Sequence, residues 1–421
     1  MNGVAPNEDS VVWSWCRQMA RTRLWDLVAL IIAVAGLAQL AFLLPGRAVE
    51  NDFADHYAGS RLLLEDHNPY TTPLAPEYQL FGLRVRETPL SVTDPPPLLW
   101  LLAPVATWPV RVAFWVWTAV QAISLAAVLW MTRRLVGERL PPRAWRWIGA
   151  VTLASPAVFW HFFFGQTQLL LAALLLAAYA RQRGGRPLEA CVWVCLAGLL
   201  KLFPLALLPW FVYRADNEWR GRVRAGALAG VVLAIGVTVT GIGLWLDFVR
   251  YPSHILSGWA MGPTFFNFSI SSLVTALAKE TGGTHVSAKM VHAWWVAGAA
   301  LGSTMLVLSY TVCFHDGGDP EAEFCLLTVM MLAGSVMAWG YYFVLLIFPV
   351  IVAVARLVQE PTLPKTLGMV LGLLSLNCLD AGQWEWGGQA ARVWFNYLPL
   401  AGLIGLALFF GAEVRQRKAL R

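Results

Sequence analysis

Apolar runs such as Leu27–Leu44, Leu169–Ala180, Ala225–Leu246 and Val291–Cys313 recur along the whole chain. Many approach the ~20 residues that a helix needs to cross bilayer hydrocarbon, where only helices and closed barrels satisfy every backbone polar group internally. The pattern predicts an all-α polytopic membrane protein. Composition agrees: 58% of the 421 residues are hydrophobic and 13% are charged, about half the charged share of a soluble domain. The net charge of +6 then reads as membrane topology and not as nucleic-acid binding, because the basic residues lie in short loops between apolar runs.

The loops can be assigned to sides by their Lys and Arg content. Arg17, Arg21 and Arg23 precede the first span and place the N-terminus in the cytoplasm. Later clusters run from Arg133 to Arg146, from Arg181 to Arg186 and from Arg214 to Arg224, followed by Arg356 with Lys365 and the tail from Arg415 to Arg421. Together they hold 21 of the 31 basic residues. One topology of about twelve spans puts all of them inside, provided that Pro97–Trp108 lies against the outer surface without crossing. The acidic stretch His315–Glu323 then also falls inside. The first apolar run carries no small-residue cleavage site and is expected to remain as an uncleaved helix. Cys191 and Cys195 share a helix face but have no His or further Cys beside them, so they read as small packing residues and not as metal ligands. No linker or low-complexity stretch divides the chain, and residues 1–421 are expected to form one domain.

In this topology the polar residues that packing does not explain fall on the outer face. The first loop holds Asp52, Asp55 and His56, within the stretch Asn51-Asp52-Phe53-Ala54-Asp55-His56-Tyr57, and then Arg61 and Asn68-Pro69-Tyr70. His161, Gln166, Lys201, Arg250, His254, Asn267 and Tyr341 follow. Ionisable side chains at a bilayer are costly and mark sites by default.

An ordered series of these residues resembles glycosyltransferase family 87, integral-membrane enzymes of the GT-C fold. Asp52-Phe53, Tyr57, Ala58, Arg61 and Asn68-Pro69-Tyr70 are similar to the family's first-loop signature. Asp94-Pro95-Pro96-Pro97-Leu98, with Pro104 and Trp117, resembles its next block. Gly165-Gln166-Thr167-Gln168 resembles its Gly-Gln-x-Asn stretch, Gly198-Leu199-Leu200-Lys201 its lysine motif, and Asn267-Phe268-Ser269 its Asn-x-Ser motif. The series covers roughly residues 25–350; residues 351–421 are expected to form terminal helices. Three positions depart from the pattern. Gln168 replaces an Asn, Asp94 replaces a Tyr, and Tyr341 stands where a His is expected. Tyr341 can act only as a neutral hydrogen-bonding group, unless the His role has moved to His56, His161 or His254.

The resemblance implies a bundle of about twelve transmembrane helices, with juxtamembrane helices in the outer first loop. It also implies transfer of a hexose, mannose above all, from a polyprenyl-phosphate sugar to a glycan or glycolipid of the cell envelope, in the cell membrane. Neither a cofactor nor a metal is expected, and no nucleic-acid partner. Such a reaction needs a base for the acceptor hydroxyl, groups that hold the leaving phosphate and a path for the prenyl chain. Asp52 matches the position of the family's catalytic carboxylate, although an Asp there also suits a helix N-cap. Asp55 is the reserve, three residues on. Lys201 either snorkels to the interface or meets an anion. Arg61 binds phosphate or pairs with Glu65, and Arg250 with His254 could supplement a phosphate site. Gln166, Asn267, Tyr341 and Tyr57 could bind sugar or acceptor, the amides equally well serving helix ends. The same fold acting on another lipid-linked sugar, such as a pentofuranose, and a transporter of lipid-linked sugars remain as alternatives.

Overall fold

The computed structural model describes residues 23–47, 49, 52–83, 92–250, 267–282, 287–314, 318–362, 366, 369 and 398–419. Among them the regular elements are helices, and the β pairing is a single bridge between Asn267 and Trp339. In chain order the helices are α1 (Arg23–Leu43), α2 (Asp52–Leu64), α3 (Leu74–Leu80), α4 (Pro96–Ala106), α5 (Val110–Val136), α6 (Pro142–Leu153), α7 (Pro156–Phe164), α8 (Gln168–Arg183) and α9 (Pro187–Leu200). They continue as α10 (Leu208–Tyr213), α11 (Trp219–Thr240), α12 (Ile242–Arg250), α13 (Ile270–Gly282), α14 (Ala288–Cys313), α15 (Pro320–Ala333), α16 (Ile347–Gln359) and α17 (Leu398–Ala419).

Six described helices are long and apolar enough to cross a membrane, or seven when α6 and α7 count as one bent span. Their outward faces fit that role. Leu30, Ile31 and Phe42 on α1 and Val231, Ile235 and Val239 on α11 are exposed, a large apolar surface of the kind that marks contact with lipid. The sequence predicts about twelve crossings. Among the described residues several apolar runs are broken or short and fall outside that count of six: α6 and α7 meet at 46°, and Pro96–Ala106, Pro187–Leu200 and Phe203–Tyr213 are short. At 1.5 Å per residue α4 extends about 16 Å, half the hydrocarbon thickness. It is too short to cross, as the topology requires of Pro97–Trp108.

Prolines account for much of this segmentation. Pro96, Pro142, Pro156 and Pro187 each sit in the first turn of a helix, where the missing N–H costs nothing and the fixed φ is already helical. α2 is buried nearly all round, with Phe53, Ala54, His56, Ala58, Ser60 and Leu62 enclosed. Its Ala-Gly-Ser stretch permits this. A Cβ on Gly59 would lie 2.9 Å from a Val92 methyl, and Ser60 Oγ donates to the Leu99 carbonyl of α4 at 3.0 Å.

Asp52, Asp94, Gln166, Lys201 and Tyr341 meet at one end of the bundle. The opposite end is held by a buried ionic network. Arg139 contacts both carboxylate oxygens of Glu321 at 2.6 Å. Arg356 reaches Asp319 at 2.8 Å, Glu321 at 2.9 Å and Glu413 at 2.9 Å. Glu323 accepts from Trp210 Nε1 at 2.9 Å and pairs with Arg214. The network ties α15, α16 and α17 to the loop after α5 and to the end of α10. The acidic stretch that topology placed among basic loops is therefore their counter-charge. His315, Asp316 and Gly317 lie outside the described residues.

Candidate functional site

Three backbone devices bring the polar residues together. The first is the end of α7. Gly165 takes the left-handed conformation at φ 66°; its N–H bonds to Phe162 O at 3.1 Å and that of Gln166 bonds to His161 O at 3.1 Å. This is a Schellman cap, and it fixes where the Gln166 side chain leaves the chain. A Cβ at Gly165 would stand 2.6 Å from Phe53 Cβ, so glycine also lets this loop lie against the start of α2. The second is the run Asp94-Pro95-Pro96-Pro97. A residue before proline is driven to extended backbone, which ends the approach to α4 with Asp94 buried beneath α2. The third is an Asn267 clamp: its Oδ1 accepts from Ser269 N at 3.2 Å and Ala338 N at 3.0 Å. Together with the bridge to Trp339, it pins the turn that carries Tyr341.

Asp52, the first residue of α2, accepts a hydrogen bond from Gln166 Nε2 at 2.6 Å. Gln168 Nε2 lies 3.4 Å from Gln166 Oε1 and extends the chain of amides. The Tyr341 hydroxyl is hydrogen-bonded to Asp52 as well. The Tyr341 ring stacks parallel to Trp339 at 6.4 Å and packs 5.5 Å from Phe164, forming an aromatic wall beside the carboxylate.

A second acidic group lies beside it. Asp94 is 1% exposed; its Oδ2 is 2.7 Å from His56 Nδ1 and its Oδ1 is 3.2 Å from Lys201 Nζ. One carboxylate thus bridges two cationic side chains. Burial alone would raise the Asp94 carboxyl, but His56 and Lys201 hold it well below the usual carboxylate range. Lys201 is held above its ordinary value, burial opposing and Asp94 prevailing. The lysine also contacts Tyr342, its Nζ 5.5 Å from that ring centroid.

The remaining sequence candidates are bound elsewhere. Asp55 accepts from the Tyr78 hydroxyl of α3, a different element from the one that holds Asp52. Arg61 pairs with Glu65 at 2.8 Å, one of the two readings its spacing allowed. Tyr57 donates its hydroxyl to Trp108 O at 2.9 Å, and the Asn267 carbonyl serves backbone N–H groups. Arg250 is 3.6 Å from Asp247, with its side chain 76% exposed. His161 lies 3.1 Å from Gln121 through Nε2. His254 lies outside the described residues. Among the described residues no three His, Cys, Asp or Glu side chains gather as a metal site.

Asp94 is the group that sequence reasoning noted only as a departure from a family pattern. A signal existed: Lys201 and Asp94 each border an apolar run, and buried opposite charges require each other.

The structure thus defines a polytopic helical membrane protein with an amide-held carboxylate and a carboxylate-bridged lysine at one end. The model of "Glycosyltransferase family 87" matches residues 93–349, more than half of the chain, and the chain belongs to that family. It is a membrane glycosyltransferase. The match takes in Asp94, Gln166, Lys201 and Tyr341 and begins after Asp52. No individual curated protein matches the chain.

Proposed function

We propose that this glycosyltransferase moves a hexose, with mannose the expected sugar, from a polyprenyl-phosphate donor to a hydroxyl of a cell-envelope glycan or glycolipid, with Asp52 as general base. The observation that carries the reading is the Asp52 carboxylate held by Gln166 and Tyr341 beside the partly buried Lys201. In the reaction, Asp52 takes the acceptor hydroxyl proton and the acceptor oxygen attacks the anomeric carbon. The bond from that carbon to the phosphate oxygen breaks from the opposite side, its electron pair staying on the phosphate, and the configuration inverts. One negative charge therefore moves from Asp52 to the leaving group, toward which a fixed cation such as Lys201 is stabilising. The aromatic wall of Trp339 and Tyr341 offers a flat surface to a sugar ring.

The basic loops lie at the end of the bundle away from Asp52, which supports cytoplasmic termini and chemistry on the outer face of the cytoplasmic membrane. The fold expected with this assignment is the GT-C architecture. The test is transfer by the purified protein in lipid nanodiscs, supplied with a panel of polyprenyl-phosphate hexoses and pentofuranoses, with the product anomer read by NMR. Inverting transfer from a hexose donor supports the reading. Movement of intact lipid-linked sugar across vesicles without any transfer overturns it in favour of a transporter.

A further inference from the structure

His56 lies one turn after Asp52 on the same face of α2 and is 3% exposed. Its Nδ1 is engaged by Asp94 at 2.7 Å. Its Nε2 is buried and has no hydrogen-bond partner among the described residues. A buried donor left unmade is costly, more so when charged, and such groups in native structures call for a ligand, an ion or a role. Asp94 faces the Nδ1 side of His56 and leaves Nε2 for something else.

We propose that His56 is a second phosphate-binding group of this site: its Nε2–H donates to a phosphate oxygen of an isoprenyl-phosphate ligand, while Asp94 positions the ring through Nδ1. The inference rests on the lipid-phosphate donor reading above and adds a residue to it.

The charge balance of the cluster favours this role. Asp52 and Asp94 are matched by His56 and Lys201, so the four groups sum to zero. Once Asp52 has taken a proton the cluster is left with one positive charge, at the moment the leaving phosphate gains its second negative charge. A role as base for the acceptor would require neutral His56. The groups that face it are Asp94 and Lys201 from other elements and Asp52 from its own. Burial lowers the His56 proton affinity and Lys201 opposes its charge, yet Asp94 and Asp52 hold it above the ordinary value. The balance therefore favours the protonated ring, the form that donates through Nε2.

The test uses full-length protein in nanodiscs with 15N-labelled imidazoles, titrated with farnesyl phosphate and, separately, with inorganic phosphate. Farnesyl phosphate is expected to shift the His56 Nε2 resonance, and His56→Gln to weaken its binding about tenfold or more. Wild-type affinity should also fall as pH rises through the raised His56 value, a step absent from His56→Gln. Thermal unfolding confirms that the variant is folded, and the wild-type resonance reads out the contact without any substitution. An unmoved His56 resonance together with unchanged affinity in folded His56→Gln overturns the proposal. Inorganic phosphate binding that depends on His56, without farnesyl phosphate binding, upholds the anion site while sinking the lipid donor. Binding of neither probe by wild type overturns both.

Discussion

Gln166 Nε2 stands 2.6 Å from Asp52 Oδ2, so the loop that ends α7 holds the first residue of α2. The amide has one orientation that donates to a carboxylate, and its own oxygen is turned to Gln168. Replacing this donor with an acid reverses the interaction. In Gln166→Glu two carboxylates would share the site, and like charges at this distance raise the proton affinity of the pair. A pH–rate profile is expected to show the acid limb of activity moved upward, with transfer at pH 7 down about tenfold or more. An unmoved limb would mean that Asp52 does not govern it.

Gly165→Ala tests how far the site depends on its backbone. The left-handed conformation costs an L-residue about 1–2 kcal/mol, and the added Cβ meets Phe53 at 2.6 Å. We expect a loss of about 2 kcal/mol or more in unfolding measurements. Transfer should fall even where the protein remains folded, because Gln166 is displaced.

Asp94 and Lys201 should behave as one unit. Lys201→Met leaves a buried carboxylate with His56 alone, Asp94→Asn leaves the partly buried ammonium without its carboxylate, and a double-mutant cycle should give coupling of about 0.5–3 kcal/mol. The pH dependence of stability has a defined sign. Asp94, depressed from an ordinary 3.8, contributes above that pH, and its contribution is lost as pH falls through the depressed value. His56, raised from 6.5, contributes fully below 6.5, and its contribution is lost as pH rises through the raised value. Thermal unfolding in detergent should therefore show this pair at full strength between those two ordinary values. The decline above 6.5 should shrink in Asp94→Asn.

At the far end of the bundle, Arg356 serves Asp319, Glu321 and Glu413 with a side chain 8% exposed. Removing one partner of a buried pair typically costs about 3–5 kcal/mol. Arg356→Met should lower the unfolding midpoint by several degrees while leaving the KM for donor near wild type. A KM change as large as that of a site variant would show that the two ends are coupled.

The sequence showed the class plainly, because so many apolar runs near span length find a matching solvent only in a bilayer. It also pointed to Asp52, Gln166, Lys201 and Tyr341, which the fold brings to one end. It does not show where an apolar run is interrupted: a run of apolar letters does not reveal that Ser155-Pro156 bends α6 against α7 or that α9 stops at Leu200. It leaves Asn267 open between a sugar contact and service to backbone ends, and the structure shows its carbonyl oxygen accepting from two backbone N–H groups. Partners distant in sequence were the least legible. Asp94 joins His56 and Lys201 across 38 and 107 positions, and Arg139 joins Glu321 across 182. Hydrophobic pattern cannot encode such pairings, which follow from how the helices cross.

The most direct measurement is single-turnover transfer by wild type and Asp52→Asn in nanodiscs, with donor binding measured in parallel. Asn keeps the shape and the hydrogen bonding to its neighbours but cannot take a proton. The account predicts donor affinity within a few-fold of wild type and a transfer rate lower by about 10²–10⁴, the usual share of a general base. Transfer at the wild-type rate by folded Asp52→Asn would contradict it.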